Sequence, residues 1–345
     1  MRIAMLHVDL PTESRGGVAH QVSRLSHVLA ERGADVTVFT LSPAPPGVAY
    51  DVRRLRLPQP LRSRSARLVT LPLVFAAQRY RGFDVVHAHG DSQLVLRRIV
   101  PVVRTFYGSA RDEARTATRF RRRAVQRLHH VEEKIARRAA TFTVGISRAT
   151  EASIGPLDAI VPCGVDRGLF RPGTKSERPA ILFVGTLGGR KRGAVLVDAF
   201  REAVRPRVPD AELWLVTDDS VAGDGIRTWR RPDDATLAAL YRRAWLFASP
   251  SAYEGFGVPY VEALASGTPV VATPNPGSLE VLTGDTGGLV VAETELGDAV
   301  VSLLHDDARR ASLSSRGRES SERFDWSRVA AAYERIYATL TGSPA

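Results

Sequence analysis

Two glutamates eight residues apart, Glu254 and Glu262, flank a glycine-rich turn in Pro250-Ser251-Ala252-Tyr253-Glu254-Gly255-Phe256-Gly257-Val258-Pro259-Tyr260-Val261-Glu262-Ala263. That spacing sets Glu254 at the mouth of the turn and Glu262 two turns into a helix, on nearly the same face. A carboxylate so placed can accept both hydroxyl hydrogens of a ribose-like diol. The backbone amides of Gly255, Phe256, Gly257 and Val258 add further donors. An exposed helical glutamate is the ordinary alternative for Glu262, but Val258, Val261, Leu264 and Ala265 leave that helix little polar face. A second cluster, Gly185-Thr186-Leu187-Gly188-Gly189-Arg190-Lys191-Arg192-Gly193, sets three cations beside glycines where a strand gives way to a helix. Such a place favours negative charge, although the residue order is not that of a Walker A loop. The turn Ser14-Arg15-Gly16-Gly17 precedes an amphipathic stretch and lets the Gly17 backbone approach an anion. Two glycines alone are more often a plain turn, and the three-glycine dinucleotide spacing is absent. In Asp84-Val85-Val86-His87-Ala88-His89-Gly90-Asp91, strand alternation sends both histidines to one side. His-x-His is half of a metal site, but no third ligand cluster follows at a suitable spacing, and no Asp-x-Asp occurs. His87 is expected in the core and His89 against substrate.

The elements that must position these residues alternate along the chain. Strand-like runs fall at Arg2–Val8, Val36–Leu41, Val85–His89, Val100–Thr105, Thr141–Val144 and Ala159–Val161, with helical spacing over Val18–Glu31 and Ala110–Arg138. After a Pro- and Gly-containing stretch at Asp166–Thr174 the pattern restarts. It gives strands at Ile181–Gly185, Glu212–Thr217, Trp245–Ala248, Val270–Thr273 and Leu289–Val291, and helices at Arg192–Val204 and Trp326–Leu340. This predicts two α/β domains with parallel sheets, whose carboxyl strand ends would face one another across a cleft.

Composition narrows the class. At 345 residues, 44% hydrophobic and 25% charged, the chain can bury two cores, which excludes a disordered tail or a disulfide scaffold. The single cysteine, Cys163, fits a reducing compartment. The longest apolar run, Leu68–Ala77, is too short to span a membrane, and His7 and Asp9 break any signal-like start, so a cytoplasmic protein is expected. Net charge is +11, yet only Lys134, Lys175 and Lys191 are lysines. So strong an arginine skew reflects composition more than a dedicated basic site. No nucleic-acid module or aromatic interleaving accompanies it, so nucleic acid is not an expected partner. Two basic groups, Arg53, Arg54, Arg56, Arg62, Arg64, Arg67 and Arg119, Arg121, Arg122, Arg123, Arg127, are ordinarily solvated faces. Together they could hold the chain peripherally at the inner face of an anionic membrane.

The segment EGFGVPYVEALASGTPVVATPNPGSLEVL, together with the Gly16-Gly17 loop, HAHGD, VPCGVD–LFRPG, RKRG and the final FDW helix, resembles glycosyltransferase family 4 over nearly the whole chain. The resemblance implies the GT-B fold: two doubly wound Rossmann-like domains, an acceptor-binding domain over residues 1–163 and a nucleotide-sugar-binding domain over 164–323. Residues 324–345 would be a helix packing back on the first. It implies transfer of a sugar, with retention, from a nucleoside-diphosphate sugar, a UDP-sugar foremost, to an unidentified hydroxyl acceptor on a glycan, lipid or small metabolite. No metal or other cofactor is expected. Residue by residue it assigns His89 to the transferred sugar, and Arg192 with Lys191 or Arg190 to the diphosphate. Gly17 goes to the diphosphate or acceptor, Glu254 with the following amides to the donor sugar, and Glu262 to the ribose. Retention through an enzyme carboxylate nucleophile is a known route. The resemblance implies instead front-face attack, with the leaving phosphate taking the acceptor's proton. Three positions depart from the family pattern: Thr186 stands where an arginine is frequent, Tyr107 where a histidine is, and Cys163 where an asparagine is. A nucleotide-sugar epimerase of the same fold and a non-enzymatic basic membrane-surface protein are the competing readings.

Overall fold

The computed structural model describes residues 1–12, 16–57, 64–90, 92–95, 100–108, 120–284 and 286–342, with side chains 64–69 and 120–129 outside the description. The chain forms two compact units, Met1–Gly164 with Trp326–Ala345, and Val165–Asp325.

The first unit is built on seven parallel strands: β1 (Arg2–Leu6), β2 (Asp35–Thr40), β3 (Asp51–Arg54), β4 (Val85–His89), β5 (Val102–Phe106), β6 (Phe142–Gly145) and β7 (Ala159–Ile160), ordered β3-β2-β1-β4-β5-β6-β7. Helix Gly17–Glu31 turns Val22, Leu25 and Leu29 inward at helical spacing. It stops where Gly33 takes φ +95°, a conformation open to glycine. The closing helix Trp326–Thr341 brings Trp326, Val329, Tyr333 and Tyr337 into the same core as Ile3, Met5, Val85 and Val103. The apolar run around Leu71 lies in helix Arg64–Ala76, with Leu71 and Phe75 buried and Leu73 exposed. The charged region expected to be helical from Ala110 is a helix over Phe120–Ala139, and residues 109–119 lie outside the description. Among the described residues no helix is long and apolar enough to cross a membrane.

The second unit has six parallel strands: β8 (Ala180–Val184), β9 (Glu212–Val216), β10 (Ile226–Trp229), β11 (Leu246–Ser249), β12 (Val270–Ala272) and β13 (Gly288–Val290), ordered β10-β9-β8-β11-β12-β13. Ile181, Phe183, Leu213, Leu215, Leu246 and Val271 pack with Leu196, Phe200 and Val300 from the helices. The helix expected from Arg192 begins at Gly193 instead, and beyond Ala199 it widens into a π turn over Phe200–Val204. Arg192 precedes it at φ +52°, a left-handed conformation that no continuing helix allows.

Candidate active site

In each sheet one adjacent pair of strands marks the point where the order reverses. Ligands of open α/β sheets bind outside the carboxyl ends of such a pair. In the second unit the pair is β8 and β11. The cationic loop follows β8, the glutamate loop follows β11, and the two are joined directly. The Ala252 amide donates to the Arg190 carbonyl at 2.8 Å, and the Arg190 guanidinium donates to the Tyr253 carbonyl at 2.9 Å. Between them the Glu254 carboxylate is buried, 2.6 Å from Lys191 Nζ and 2.7 Å from Arg190 Nη1. The Ser251 hydroxyl donates at 2.9 Å to Oε1, the oxygen that Lys191 also meets, while Arg190 holds Oε2. Burial alone would raise the Glu254 carboxyl, but Lys191 and Arg190 outweigh it and hold the group below its ordinary range.

Glu262 lies on helix Val258–Ala265, which starts at Gly257 with φ +94°; a Cβ there would fall 2.3 Å from the Tyr260 ring. Burial pushes the Glu262 carboxyl up to about 7. The neighbouring Tyr241 hydroxyl, which reaches no partner with full hydrogen-bond geometry, and Lys191 favour its charged form less strongly than burial opposes it. Phe256 is core: its ring meets Phe324 edge-on at 5.5 Å, so the backbone, not the ring, is what residues 255–258 offer a ligand. Arg190 and Lys191 therefore gather at Glu254, whereas Arg192 does not join them. Its guanidinium pairs with Glu293 at 2.6 Å.

Three bracing residues were not evident from the sequence. Asp219 accepts the Leu187 amide at 2.7 Å and so ties down the cationic loop. Buried Asn275 donates to the Ser251 and Thr273 carbonyls and to the Tyr260 hydroxyl, each at 3.0 Å, while capping helix Pro276–Val281. Gly277 packs so closely under the glutamate loop that a Cβ would stand 2.7 Å from the Phe256 carbonyl. The Asn-Pro pair was the available signal for the cap; nothing local announces the other contacts.

In the first unit the reversing pair is β1 and β4. Gly17 opens its helix with exposed backbone, and a Cβ there would meet none of the described residues within 4 Å. Residues 13–15 of the preceding turn lie outside the description, as does Asp91. His87 and His89 are both fully buried on one side of β4, their rings 3.9 Å apart. His87 uses both nitrogens, Nδ1 with the Tyr337 hydroxyl at 2.6 Å and Nε2 with Thr105 Oγ1 at 2.8 Å, so neither is open to a metal ion. His89 Nδ1 meets the Tyr107 hydroxyl at 3.2 Å, whereas its buried Nε2 has no partner among the described residues. Burial, then the neighbouring His87, His7 and Arg104, keep His89 neutral. Arg104, an isolated arginine in an apolar strand, is buried and donates to the Ser92 carbonyl at 2.7 Å, fixing the turn after His89. Cys163 is buried and its thiol is pushed well up by that burial, so it is no nucleophile.

Of the basic surface groups, Arg53 lies over the Phe39 ring and Arg54 donates to the Leu41 carbonyl. Arg62 and Arg119, and the side chains of Arg64, Arg67, Arg121, Arg122, Arg123 and Arg127, are outside the description. A cavity of about 800 Å³ lies at the opposite, amino edge of the second sheet, lined by Lys175, Glu212 and Trp214 among others. Its charges have internal work: Lys175 holds the Ala244 carbonyl at 2.8 Å and Arg227 pairs with Glu212 at 2.8 Å.

Comparison with known proteins adds a family. Residues 15–168 match the profile described as Glycosyltransferase Family 4, and residues 178–306 that of Glycosyl transferases group 1. A phosphatidyl-myo-inositol mannosyltransferase of Mycolicibacterium smegmatis is 33% identical over 99% of this chain and 95% of its own. A D-inositol 3-phosphate glycosyltransferase of Xylanimonas cellulosilytica is 31% identical over 99% of this chain and 97% of its own. The solved sucrose-phosphate synthase of Thermosynechococcus elongatus superposes with a TM-score of 0.83 at 23% identity, covering 99% of both chains. With its two parallel α/β sheets, the protein has the GT-B fold.

Proposed function

This chain belongs to glycosyltransferase family 4, and we propose that it moves a sugar from a nucleoside-diphosphate sugar to a hydroxyl of a phosphate-bearing inositol, with retention and without a metal ion. The observation that carries the donor half is the buried Glu254 carboxylate between Lys191 and Arg190, eight residues before Glu262. A departing diphosphate gains negative charge in the transition state, and a preorganised cation there lowers the barrier directly. Lys191 and Arg190 supply that charge at the carboxyl end of β8. One unit charge about 4 Å from a phosphate oxygen is worth about 4 kcal/mol at an effective dielectric near 20. Glu262 accepts the ribose hydroxyls, and Glu254 with the amides of residues 255–258 orients the sugar. Glu254 is a poor nucleophile, because two cations and the Ser251 hydroxyl already hold three of its four lone pairs, which leaves one on Oε2 for a sugar hydroxyl. Front-face attack, with the leaving phosphate accepting the acceptor's proton, needs no carboxylate at the anomeric carbon. His89, whose buried Nε2 has no partner among the described residues, is assigned to the transferred sugar.

The acceptor half rests on two relatives, whose names place a phosphatidyl inositol and an inositol phosphate as their substrates. A net charge of +11 suits an anionic acceptor of that kind, free or at a membrane surface. The test is to incubate the protein with UDP-, GDP-, ADP- and dTDP-sugars, each with inositol phosphate or phosphatidylinositol vesicles. Products are identified by mass spectrometry and their anomeric configuration by NMR. A retained glycoside formed in excess EDTA supports the reading. Abolition by EDTA with recovery on magnesium would remove its metal-free step, and sugar isomerisation without acceptor would replace it with an epimerase.

A further inference from the structure

The closing helix and β5 bring three tyrosines to the histidine pair, and neither the family resemblance nor the relatives give them a task. Tyr337 is fully buried, and its hydroxyl has His87 Nδ1, at 2.6 Å, as its partner. A buried phenol must place its proton on an acceptor, so Tyr337 donates and His87 Nδ1 accepts. His87 is neutral, since burial and then Arg104 lower its pKa to about 3, so its single proton sits on Nε2 and goes to Thr105 Oγ1. Thr105 in turn meets the Tyr333 hydroxyl at 3.0 Å. The ring so fixed is the surface against which the His89 ring rests, 3.9 Å away. His89 is held from two further sides. The Tyr107 hydroxyl, kept protonated by burial, meets Nδ1 at 3.2 Å, and His7 Nδ1 bonds the His89 carbonyl at 2.8 Å.

The geometry points to Tyr107 and Tyr337 as positioning residues for the transfer step: by donating to Nδ1 of His89 and His87 they fix where each ring carries its proton, leaving the His89 Nε2–H as an unspent donor. This rests on the reading that His89 faces the donor sugar. A neutral imidazole has one N–H, and the hydrogen bond made by the other nitrogen decides which atom bears it. Tyr107 occupies that second nitrogen, so a sugar hydroxyl or ring oxygen meeting Nε2 finds a donor already set. His89 stays out of proton transfer and acts as a fixed dipole. The tyrosine that departs from the family's frequent histidine thereby has work to do: as donor to Nδ1 it selects the Nε2–H tautomer of His89.

The experiment uses the full chain labelled with 15N-histidine. Long-range proton–nitrogen spectra separate protonated from bare ring nitrogens, and a His89→Gln protein identifies the His89 pair among the eight histidines. The parent should show His89 as a single species protonated at Nε2. Tyr107→Phe should convert that pair to a mixture of tautomers, and Tyr337→Phe should alter the His87 pair first. UDP or GDP release from UDP-glucose and GDP-mannose supplies the second readout. Each variant should lose roughly tenfold in kcat with KM little changed, the size expected when one donor bond no longer orients a contacting group. A parent protonated at Nδ1, or a Tyr107→Phe spectrum identical to the parent's, overturns the proposal. If the spectra behave as expected but the parent turns over no sugar nucleotide, the tyrosines' placement of the protons stands, and the donor-sugar reading is what fails.

Discussion

Glu262 answers two opposed demands. Burial raises its carboxyl from 4.5 to about 7, so the folded chain holds this proton more tightly than the unfolded one. The stability it contributes is full below about pH 4.5 and is lost as pH rises toward 7, by roughly 3 kcal/mol in all. Glu262→Gln should therefore melt above the parent at pH 8 and close to it at pH 5, as read by scanning calorimetry without ligand. A difference independent of pH would contradict the shift. The ribose role proposed for Glu262 asks for the opposite charge state, since a diol needs the carboxylate, and nucleotide affinity in the parent should rise from pH 6 to 8. The cations divide as sharply. Lys191→Ala leaves buried Glu254 with one cation and the Ser251 hydroxyl, and removes the proposed phosphate contact, so turnover should fall about a hundredfold. Arg192→Ala breaks a half-exposed pair with Glu293 and should cost less than roughly threefold. Steady-state kinetics of both proteins check this ranking, and a larger loss at Arg192 would return that arginine to the site. The family resemblance assigns the diphosphate chiefly to Arg192, with Lys191 or Arg190 beside it. The left-handed turn at Arg192 that redirects it leaves no mark in residue type.

Elements explain why the glutamate loop stays in place. Asn275 holds two carbonyls and a phenol while capping its helix, and Asn275→Ala strands those buried groups. The substitution should destabilise the second unit by about 2–4 kcal/mol, measured by urea unfolding, and weaken nucleotide binding with it. Unchanged stability would mean that the loop is braced elsewhere. Most of the framework is readable from the sequence at this scale, since buried parallel strands such as Ile3–Leu6 or Ala180–Phe183 are apolar runs bounded by turns. Two strands are not: β3 and β10 lie at sheet edges, and Asp51–Arg54 and Ile226–Trp229 carry exposed polar residues where a central strand would be apolar. An edge strand has one neighbour and less to bury, so its signal is weak. The contacts that set Asp219, Asn275 and Gly277 join residues distant in sequence through backbone atoms, which no local pattern encodes.

At the scale of the molecule, the two units differ in continuity. The second is one stretch, Val165–Asp325, whereas the first is completed only by the last twenty residues. Trp326, Val329, Tyr333 and Tyr337 bury their side chains in the first core, and at about 1.5–3 kcal/mol each their loss removes roughly 6–12 kcal/mol. That equals the whole stability of an ordinary domain. A chain ending at Asp325 should lose the unfolding transition of the first unit and keep that of the second, and two intact transitions would show that the helix is dispensable. Everything proposed for the donor rests on the second unit holding a nucleoside diphosphate through Lys191, Arg190 and Glu262. The most direct test of that binding is titration calorimetry of UDP and GDP into the parent and into Glu262→Ala. We predict saturable one-to-one binding of one nucleotide by the parent, and a loss of about 1.5–3 kcal/mol of binding free energy in the variant. Equal affinity in the two proteins, or no binding of either nucleotide by the parent, would contradict it.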